Sequence, residues 1–358
     1  MNMFTLNITL IMVLGYILLY RNPSPAKRKF FCIMVTLQLT LIAGLRHWSV
    51  GLDTSTYILY FEDAMYQSFS VLWQDFVDMY IRGIGVEDAG YPLFEKIFQI
   101  FSTDSQIFLM FVATIINTSV GVWIYKNSKE PCISFLVYTV LFYPILGLTA
   151  LRQGITHALA TFVAYEYIKK RKLIPFIIMI LLAYFIHASA IIGVGLYIIA
   201  NKKLTKKYVF AILITISLLF IFKTEFMNFV SFFAKEKYQY YGQIYTEGKL
   251  GAWNFSAVFI SLAIAALIQM KRILANNPQA VHYYNALLVS LVVLPLVFIN
   301  PVNMRIMYYF SPFIMLLVPE ILHSLDKKNS KIVIYLGVVI VLLVLYFRQL
   351  EPYYFFWQ

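Results

Sequence analysis

The chain has 358 residues, of which 61% are hydrophobic and 13% are charged, with a mean hydropathy of +0.75. A soluble domain carries about 25% charged residues, so the composition excludes an ordinary water-soluble enzyme. The net charge of +12 comes from short basic clusters between apolar runs. Such clusters orient membrane helices and contact anionic headgroups, so we expect a membrane and no nucleic acid as partner.

Most of the chain consists of apolar runs separated by short polar segments. The runs 257–270 and 332–347 contain almost no polar residue. We therefore predict an all-α polytopic integral membrane protein with about 12 spans (roughly 11–13), in which residues 1–358 form a single transmembrane domain. The predicted spans are 3–20, 29–45, 106–124, 132–150, 153–168, 173–186, 188–200, 208–222, 253–270, 283–300, 305–323 and 332–347.

The basic residues predict the orientation of these spans. Clusters such as 169–172 and 202–207 fall in alternate short loops, which the positive-inside rule places in the cytoplasm, with both termini outside. One 28-residue helix over 173–200 would put these two clusters on opposite sides. We therefore predict two short spans that turn at His187.

Two predicted outer segments are long. Residues 46–105, after the second span, are acidic and contain an amphipathic run at 91–101 that is expected to lie at the membrane interface. Residues 223–252 precede the ninth span and are rich in tyrosine and lysine. Their tyrosines either stack on sugar rings or form an aromatic belt at the interface.

Three arginines, Arg46, Arg152 and Arg305, and one histidine, His187, lie at predicted outer ends of spans. Cations on that side run against the positive-inside rule. An anionic ligand such as a lipid pyrophosphate explains them, because arginine binds phosphate in a bidentate way. The alternative is that the arginines are snorkelling anchors and that His187 is a helix-end residue whose polar atoms are satisfied within the fold.

Two carboxylate groups near these cations are further candidates. Asp53 follows Arg46 and either orients it, acts as a base or caps a helix. Asp88 precedes Gly90 and Tyr91, and this group is either part of a hydroxyl-binding site or an ordinary helix cap. The sequence leaves Asp53 and His187 equally open as candidates for the general base. There is no P-loop, Rossmann fingerprint, HExxH motif or Cys/His cluster, so we expect no metal and no cofactor.

These groups, in this order, resemble the EpsG/Wzy-type family of polysaccharide repeat-unit polymerases. The resemblance covers residues 1–320, and Ala89 stands where the family has a proline. The matching residues are Gly44, Leu45, Arg46, Val50, Gly51, Asp53 and Tyr57; Asp88, Gly90 and Tyr91; Arg152 and Gln153; Phe185, His187, Ser189 and Ala190; and Arg305 and Tyr308.

The resemblance implies an inverting glycosyl transfer on the outer face of the bacterial inner membrane. The substrates would be undecaprenyl-pyrophosphate-linked oligosaccharide repeat units of an O-antigen, capsule or exopolysaccharide, with a chain-length regulator and a flippase as candidate partners. The expected catalytic residues are Asp53, His187 and Arg152. The expected substrate-binding residues are Arg46, Arg305, Tyr57, Asp88, Tyr91, Gln153 and Tyr308.

Two other function classes stay open from the sequence. A lipid-linked oligosaccharide flippase or exporter would use internal repeats and charges near the middle of its spans, whereas the distinctive charges here lie at span ends. An outward-facing glycan ligase or acyltransferase shares the expected chemistry and differs only in its acceptor. The polymerase is therefore the leading hypothesis.

Overall fold

The computed structural model describes residues 3–21, 23–85, 87–226, 249–298, 301–325 and 352–358. These residues form helices and no strand, apart from one isolated bridge between Arg46 and Phe355, which confirms the all-α class. The α-helices are α1 Met3–Leu19, α2 Pro25–Gly44, α3 Thr54–Tyr66, α4 Phe69–Val77, α5 Gly90–Phe98, α6 Ser105–Asn127, α7 Pro131–Leu141, α8 Leu151–His157, α9 Tyr165–Lys169, α10 Leu173–Ile186, α11 Val194–Ile199, α12 Lys206–Ile221, α13 Lys249–Asn276, α14 Ala280–Val297, α15 Met304–Met307 and α16 Ile314–His323. Between them lie π-helical segments at Asp78–Arg82, Tyr143–Thr149 and Ala158–Val163, and 3-10 segments at Ala188–Gly193, Pro301–Asn303 and Ser311–Phe313.

In the described part of the chain, three helices are long and apolar enough to cross a membrane: α6, the Phe255–Asn276 part of α13, and α14. A fourth candidate joins α7 to the following π-helical segment across a bend of 67°. Other predicted spans correspond to shorter apolar helices such as α1 and α10. About 12 spans therefore stays a prediction. The predicted span 332–347 lies outside the described residues, as does most of the second predicted outer segment, 223–252.

The chain forms two compact units, one of Met1–Val194 with Leu336–Gln358 and one of Gly195–Tyr335. In the second unit, α12 packs on α14, and α13 packs on α16. Polar contacts join the helix ends of this unit: the Asn277 amide donates to the Glu320 carboxylate at 2.7 Å, and Arg272 donates to the Ser324 carbonyl at 2.7 Å.

In the first unit, α2 lies along α6, and α1 packs on α2 and α7. The C-terminal residues return to the end of α2. Tyr353 donates its hydroxyl proton to the Ile42 carbonyl at 2.6 Å, and the Phe356 N–H donates to the Leu45 carbonyl at 2.9 Å. Because Phe4 packs edge-on against Tyr353, the described ends of the chain lie at the same end of α2.

The predicted outer segment 46–105 folds into α3, α4, a π-helical segment and α5 rather than an open loop. Its amphipathic run begins α5, whose buried face packs on α6. Phe61 of α3 stacks on Phe108 of α6 with ring centroids 4.5 Å apart, and Phe98 of α5 packs on the same ring at 5.2 Å. Burying an aromatic side chain stabilises the fold by about 1.5–3 kcal/mol, so this aromatic core fixes the segment on the N-terminal end of α6.

Two helix breaks lie next to this segment. α8 begins at Leu151, directly after the π-helical segment Tyr143–Thr149, and π-helical turns are frequent at functional sites. α10 ends at Ile186, and His187 is extended, with φ −157° and ψ 124°. The predicted break at His187 is confirmed. Arg152 and His187 are thus held at helix ends.

Candidate functional site

His187 is paired with Asp88, which lies 99 residues away in the chain. The His187 Nδ1 is 2.7 Å from Asp88 Oδ2, and the Ala188 N–H donates to Asp88 Oδ1 at 2.9 Å. The carboxylate therefore binds both the imidazole and the backbone that follows it. The His187 and Asp88 side chains are 22% and 11% exposed, so the pair is accessible to solvent.

The backbone around Asp88 explains which residue types stand there. Asp88 has φ +58°, and aspartate is among the few side chains that enter the left-handed region readily. Two residues later, a Cβ on Gly90 would lie 2.0 Å from the Phe185 carbonyl oxygen. Only glycine lets the start of α5 come this close to the end of α10, which brings Asp88 to His187.

The surroundings of Asp88 favour its ionised form. Burial by itself raises its pKa, but the hydrogen bond and charge of His187, the Ala188 N–H and the charge of Arg152 together bring the pKa below the ordinary 3.8. An ionised carboxylate only accepts hydrogen bonds. A hydrogen bond from Nδ1 to this carboxylate needs the proton on Nδ1, so Nε2 is the imidazole nitrogen that this arrangement leaves to act as a base.

Arg152, the second residue of α8, is the cation of this site. Its Nη1 lies 3.5 Å from Asp88 Oδ2, and its side chain is 28% exposed. The guanidinium carbon lies 5.7, 5.5 and 5.4 Å from the ring centres of Tyr57, Tyr60 and Tyr91. Burial raises the pKa of the Tyr57 hydroxyl, and the charge of Arg152 opposes that rise. The three rings hold the guanidinium in place and leave part of it open to an anion.

Glu95 lies one turn after Tyr91 on α5 and is fully buried. Burial raises the pKa of Glu95 to about 8, against the opposing effects of the Tyr91 hydroxyl and the Arg152 charge. Its carboxyl group is therefore mostly protonated at neutral pH. The Arg152 charge is balanced by Asp88 and not by Glu95.

Arg46 has a different environment, although it also ends a predicted outer span. It is fully buried. Its Nε donates to Thr54 Oγ1 at 3.3 Å, and its Nη1 donates to the Ala43 carbonyl. Thr54 in turn donates to the Leu148 carbonyl at 3.1 Å. Burial lowers the pKa of Arg46 to about 10. Arg46 thus connects α2, α3 and the segment before α8, and the structure gives it no open face for a ligand.

The other predicted site residues differ in their exposure. Asp53 precedes α3, is partly exposed and makes no side-chain cap bond. Gln153 is 3% exposed on α8. Arg305 is exposed and Tyr308 is buried in the second unit. The first unit therefore brings together these predicted residues: Tyr57, Asp88, Tyr91, Arg152 and His187.

Three contributors to the site were not predicted from the sequence: Tyr60, Glu95 and Tyr80. Tyr60 is three residues after Tyr57, and Glu95 is four residues after Tyr91, so helical spacing on one face offered a local indication for both. Tyr80 carried no such pattern. In the part of the chain that the structure describes, no three histidine, cysteine, aspartate or glutamate side chains converge as metal ligands, and the metal-free, cofactor-free site stays a prediction.

A family model matches residues 29–355 of the chain, and its description is EpsG family. The chain belongs to the EpsG family. No curated protein and no solved structure matches it. The EpsG match confirms the resemblance noted in the sequence, and together with the apolar helices it indicates a membrane protein of polysaccharide biosynthesis, of the polymerase type.

Proposed function

We propose that this EpsG family member joins oligosaccharide repeat units carried on undecaprenyl pyrophosphate, by inverting glycosyl transfer on the outer face of the bacterial inner membrane. The observation that carries the proposal is the cluster of Asp88, Arg152 and His187. In this cluster Asp88 contacts both His187 and Arg152. The histidine is oriented as a base, and the arginine is partly exposed to solvent. Glycosyl transfer from a pyrophosphate needs both groups.

In the proposed reaction, the acceptor sugar hydroxyl attacks the anomeric carbon of the donor glycan. The hydroxyl proton passes to Nε2 of His187 as the new C–O bond forms. The bond from the anomeric carbon to the pyrophosphate oxygen breaks, and its electron pair leaves with the pyrophosphate. Arg152 stabilises that developing negative charge. Asp88 stabilises the imidazolium that His187 becomes, as the carboxylate of a catalytic triad does.

The tyrosines around Arg152 have a second proposed role. Tyr60 is 45% exposed, so its ring offers a flat amphipathic surface beside the guanidinium. Sugar rings stack on such surfaces through their C–H faces. We assign Tyr60 to the sugar next to the pyrophosphate, and Tyr57 and Tyr91 to holding Arg152.

The activity is tested by elongation of purified lipid-linked repeat units with the purified full-length chain. His187→Gln is expected to stop elongation, because glutamine cannot take the proton. His323→Gln is the matched control, since His323 is an exposed histidine of the second unit, and it is expected to elongate at the wild-type rate. Normal ladders from His187→Gln would rule out the proposed base.

The same assay separates the other function classes. Movement of lipid-linked units across a vesicle membrane without elongation would identify a flippase. Transfer of the glycan to an acceptor other than a repeat unit would identify a ligase. Either result would replace the polymerase proposal.

The proposed sidedness has its own test. Leu52 is 76% exposed and lies near the site, whereas Lys170 is exposed at the far end of the helical run that follows Arg152. An impermeant maleimide added to intact cells is expected to label Leu52→Cys and to spare Lys170→Cys. Reversed labelling would place the site on the cytoplasmic side.

A further inference from the structure

Tyr80, in the π-helical segment Asp78–Arg82, lies against the end of α10. Its O–H donates to the Phe185 carbonyl in the last turn of α10 at 3.0 Å. The last C=O groups of a helix have no partner within the helix. The Tyr80 hydroxyl therefore satisfies one such group, and it ties the segment that leads to Asp88 to the helix that ends before His187.

The end of α10 and the start of α5 carry the paired residues of the proposed site. Gly90 is two residues after Asp88, and Phe185 is two residues before His187. Gly90 lies so near Phe185 that a Cβ would be 2.0 Å from the carbonyl oxygen. By holding this carbonyl, the Tyr80 hydroxyl fixes the end of α10 beside the start of α5, and so it also supports the 2.7 Å contact between Asp88 and His187.

The rest of Tyr80 is anchored independently of its hydroxyl. Its ring packs edge-on against Tyr184 and Phe185 at 5.7 and 5.0 Å, and against Phe76 at 4.8 Å. Burial raises the pKa of Tyr80 to about 12, so the hydroxyl stays protonated, and able to donate, throughout the physiological pH range. Removing the oxygen alone would leave these ring contacts in place.

We infer that Tyr80 is a positioning residue that holds Asp88 against His187. The inference rests on the proposed function, because it gives Tyr80 a part in that reaction. Tyr80 acts on the site through the backbone carbonyl of Phe185. Misplacing a catalytic group by about 1 Å costs up to 10²-fold in rate. Loss of the hydroxyl is therefore expected to slow the chemical step and leave substrate binding unchanged.

The test is Tyr80→Phe in the full-length chain. We expect kcat for elongation to fall about 10- to 100-fold with KM unchanged within about two-fold. We also expect the backbone amides of Gly90 and Ala188 to exchange hydrogen at least about tenfold faster, because loss of the Tyr80 hydrogen bond loosens the end of α10 against the start of α5 and frees the carboxylate that binds Ala188. Amides of α6 report whether the variant is folded.

Tyr353→Phe is the matched control. The Tyr353 hydroxyl also donates to a carbonyl in the last turn of a helix, that of Ile42 in α2, at 2.6 Å. The Tyr353→Phe substitution removes the same hydroxyl group at a position away from Asp88 and His187. Its kcat, and exchange at Gly90 and Ala188, are expected to match the wild type.

The outcomes separate this inference from the proposed function. An unchanged kcat in Tyr80→Phe, or a fall in kcat without faster exchange at Gly90 and Ala188, overturns the role of Tyr80 even where His187→Gln is inactive. Full elongation by His187→Gln overturns the proposed function instead. In that case the amide exchange alone still decides whether Tyr80 holds the two segments together.

Discussion

Arg152 and Arg46 both lie at predicted outer ends of spans, yet the structure gives them opposite environments. Arg152 has a 28% exposed side chain, an aspartate at 3.5 Å and three tyrosine rings around it. Arg46 is fully buried and donates to a carbonyl and a hydroxyl within the fold. The comparison shows that an arginine at a predicted outer span end either keeps part of its guanidinium exposed or joins helices within the fold.

The difference follows from what packs against each residue. The C-terminal residues return to the end of α2, and the Arg46 backbone pairs with Phe355, so protein surrounds that arginine. At Arg152, the approach of α5 and α10 leaves the guanidinium at the edge of the aromatic core. Burial of a charge without a carboxylate is costly unless its donors find acceptors. In Arg46, Nε donates to Thr54 and Nη1 to the backbone of α2, while Nη2 has no hydrogen-bond partner among the described residues.

The largest effect on the rate is expected at Asp88. Asp88→Asn removes the negative charge that orients and stabilises His187, so elongation should fall on the order of 10³-fold. Asp53→Asn is the matched change in the Arg46 region and should alter the rate by no more than about threefold, because Asp53 caps nothing and does not contact His187. Single-turnover elongation measures both. A larger loss from Asp53→Asn would make Asp53 the base.

Arg152→Lys should have the next largest effect, with a loss on the order of 10²-fold, because lysine has no planar fork for pyrophosphate and stacks less well on the tyrosines. In cells we expect single-unit capped lipid and no long-chain glycan, while the melting temperature of the purified protein stays within a few degrees of wild type. Full-length ladders from this variant would contradict the pyrophosphate role.

Arg46→Lys should instead act on stability. Lysine cannot donate to Ala43 and Thr54 at once, so the variant should lose on the order of 2–3 kcal/mol of unfolding free energy while its folded fraction elongates at nearly the wild-type rate. Arg82→Lys, which changes a 57% exposed ion pair with Asp78, is the control and should cost less than about 1 kcal/mol. Thermal unfolding in detergent measures both. A stable but inactive Arg46→Lys variant would show that Arg46 binds substrate, as the sequence predicts.

Glu95→Gln should have the smallest effect on the rate and a clear effect on the pH dependence of stability. Its folded-state pKa, about 8, lies above the ordinary 4.5. The fold therefore favours the protonated form, so the stabilisation that Glu95 contributes is fully present below pH 4.5 and is lost as the pH rises towards 8, by at most about 1.4 kcal/mol per pH unit. Glutamine does not titrate, so the variant should show a flatter curve. Parallel unfolding curves between pH 5 and 8 would show that Glu95 does not carry this dependence.

The sequence predicted which residue types belong to the site, but it did not predict which of these residues contact one another. Asp88, Arg152 and His187 were all predicted as site residues, and the break at His187 followed from the two basic clusters around it. Their contact did not follow, because 99 residues separate Asp88 from His187. The choice between Asp53 and His187 as base is likewise not a local property. It depends on which carboxylate reaches which imidazole.

The sequence by itself determined that this is an all-α membrane protein of the EpsG family, because apolar runs, basic clusters and ordered motifs are properties of the chain read along its length. Only the tertiary structure decided that Arg46 is buried and that Arg152 meets Asp88. It also decided that a tyrosine hydroxyl from the segment before Asp88 bonds to the end of α10. Burial and hydrogen-bond partners depend on which distant segments pack together, and two arginines with the same local sequence setting therefore take different roles.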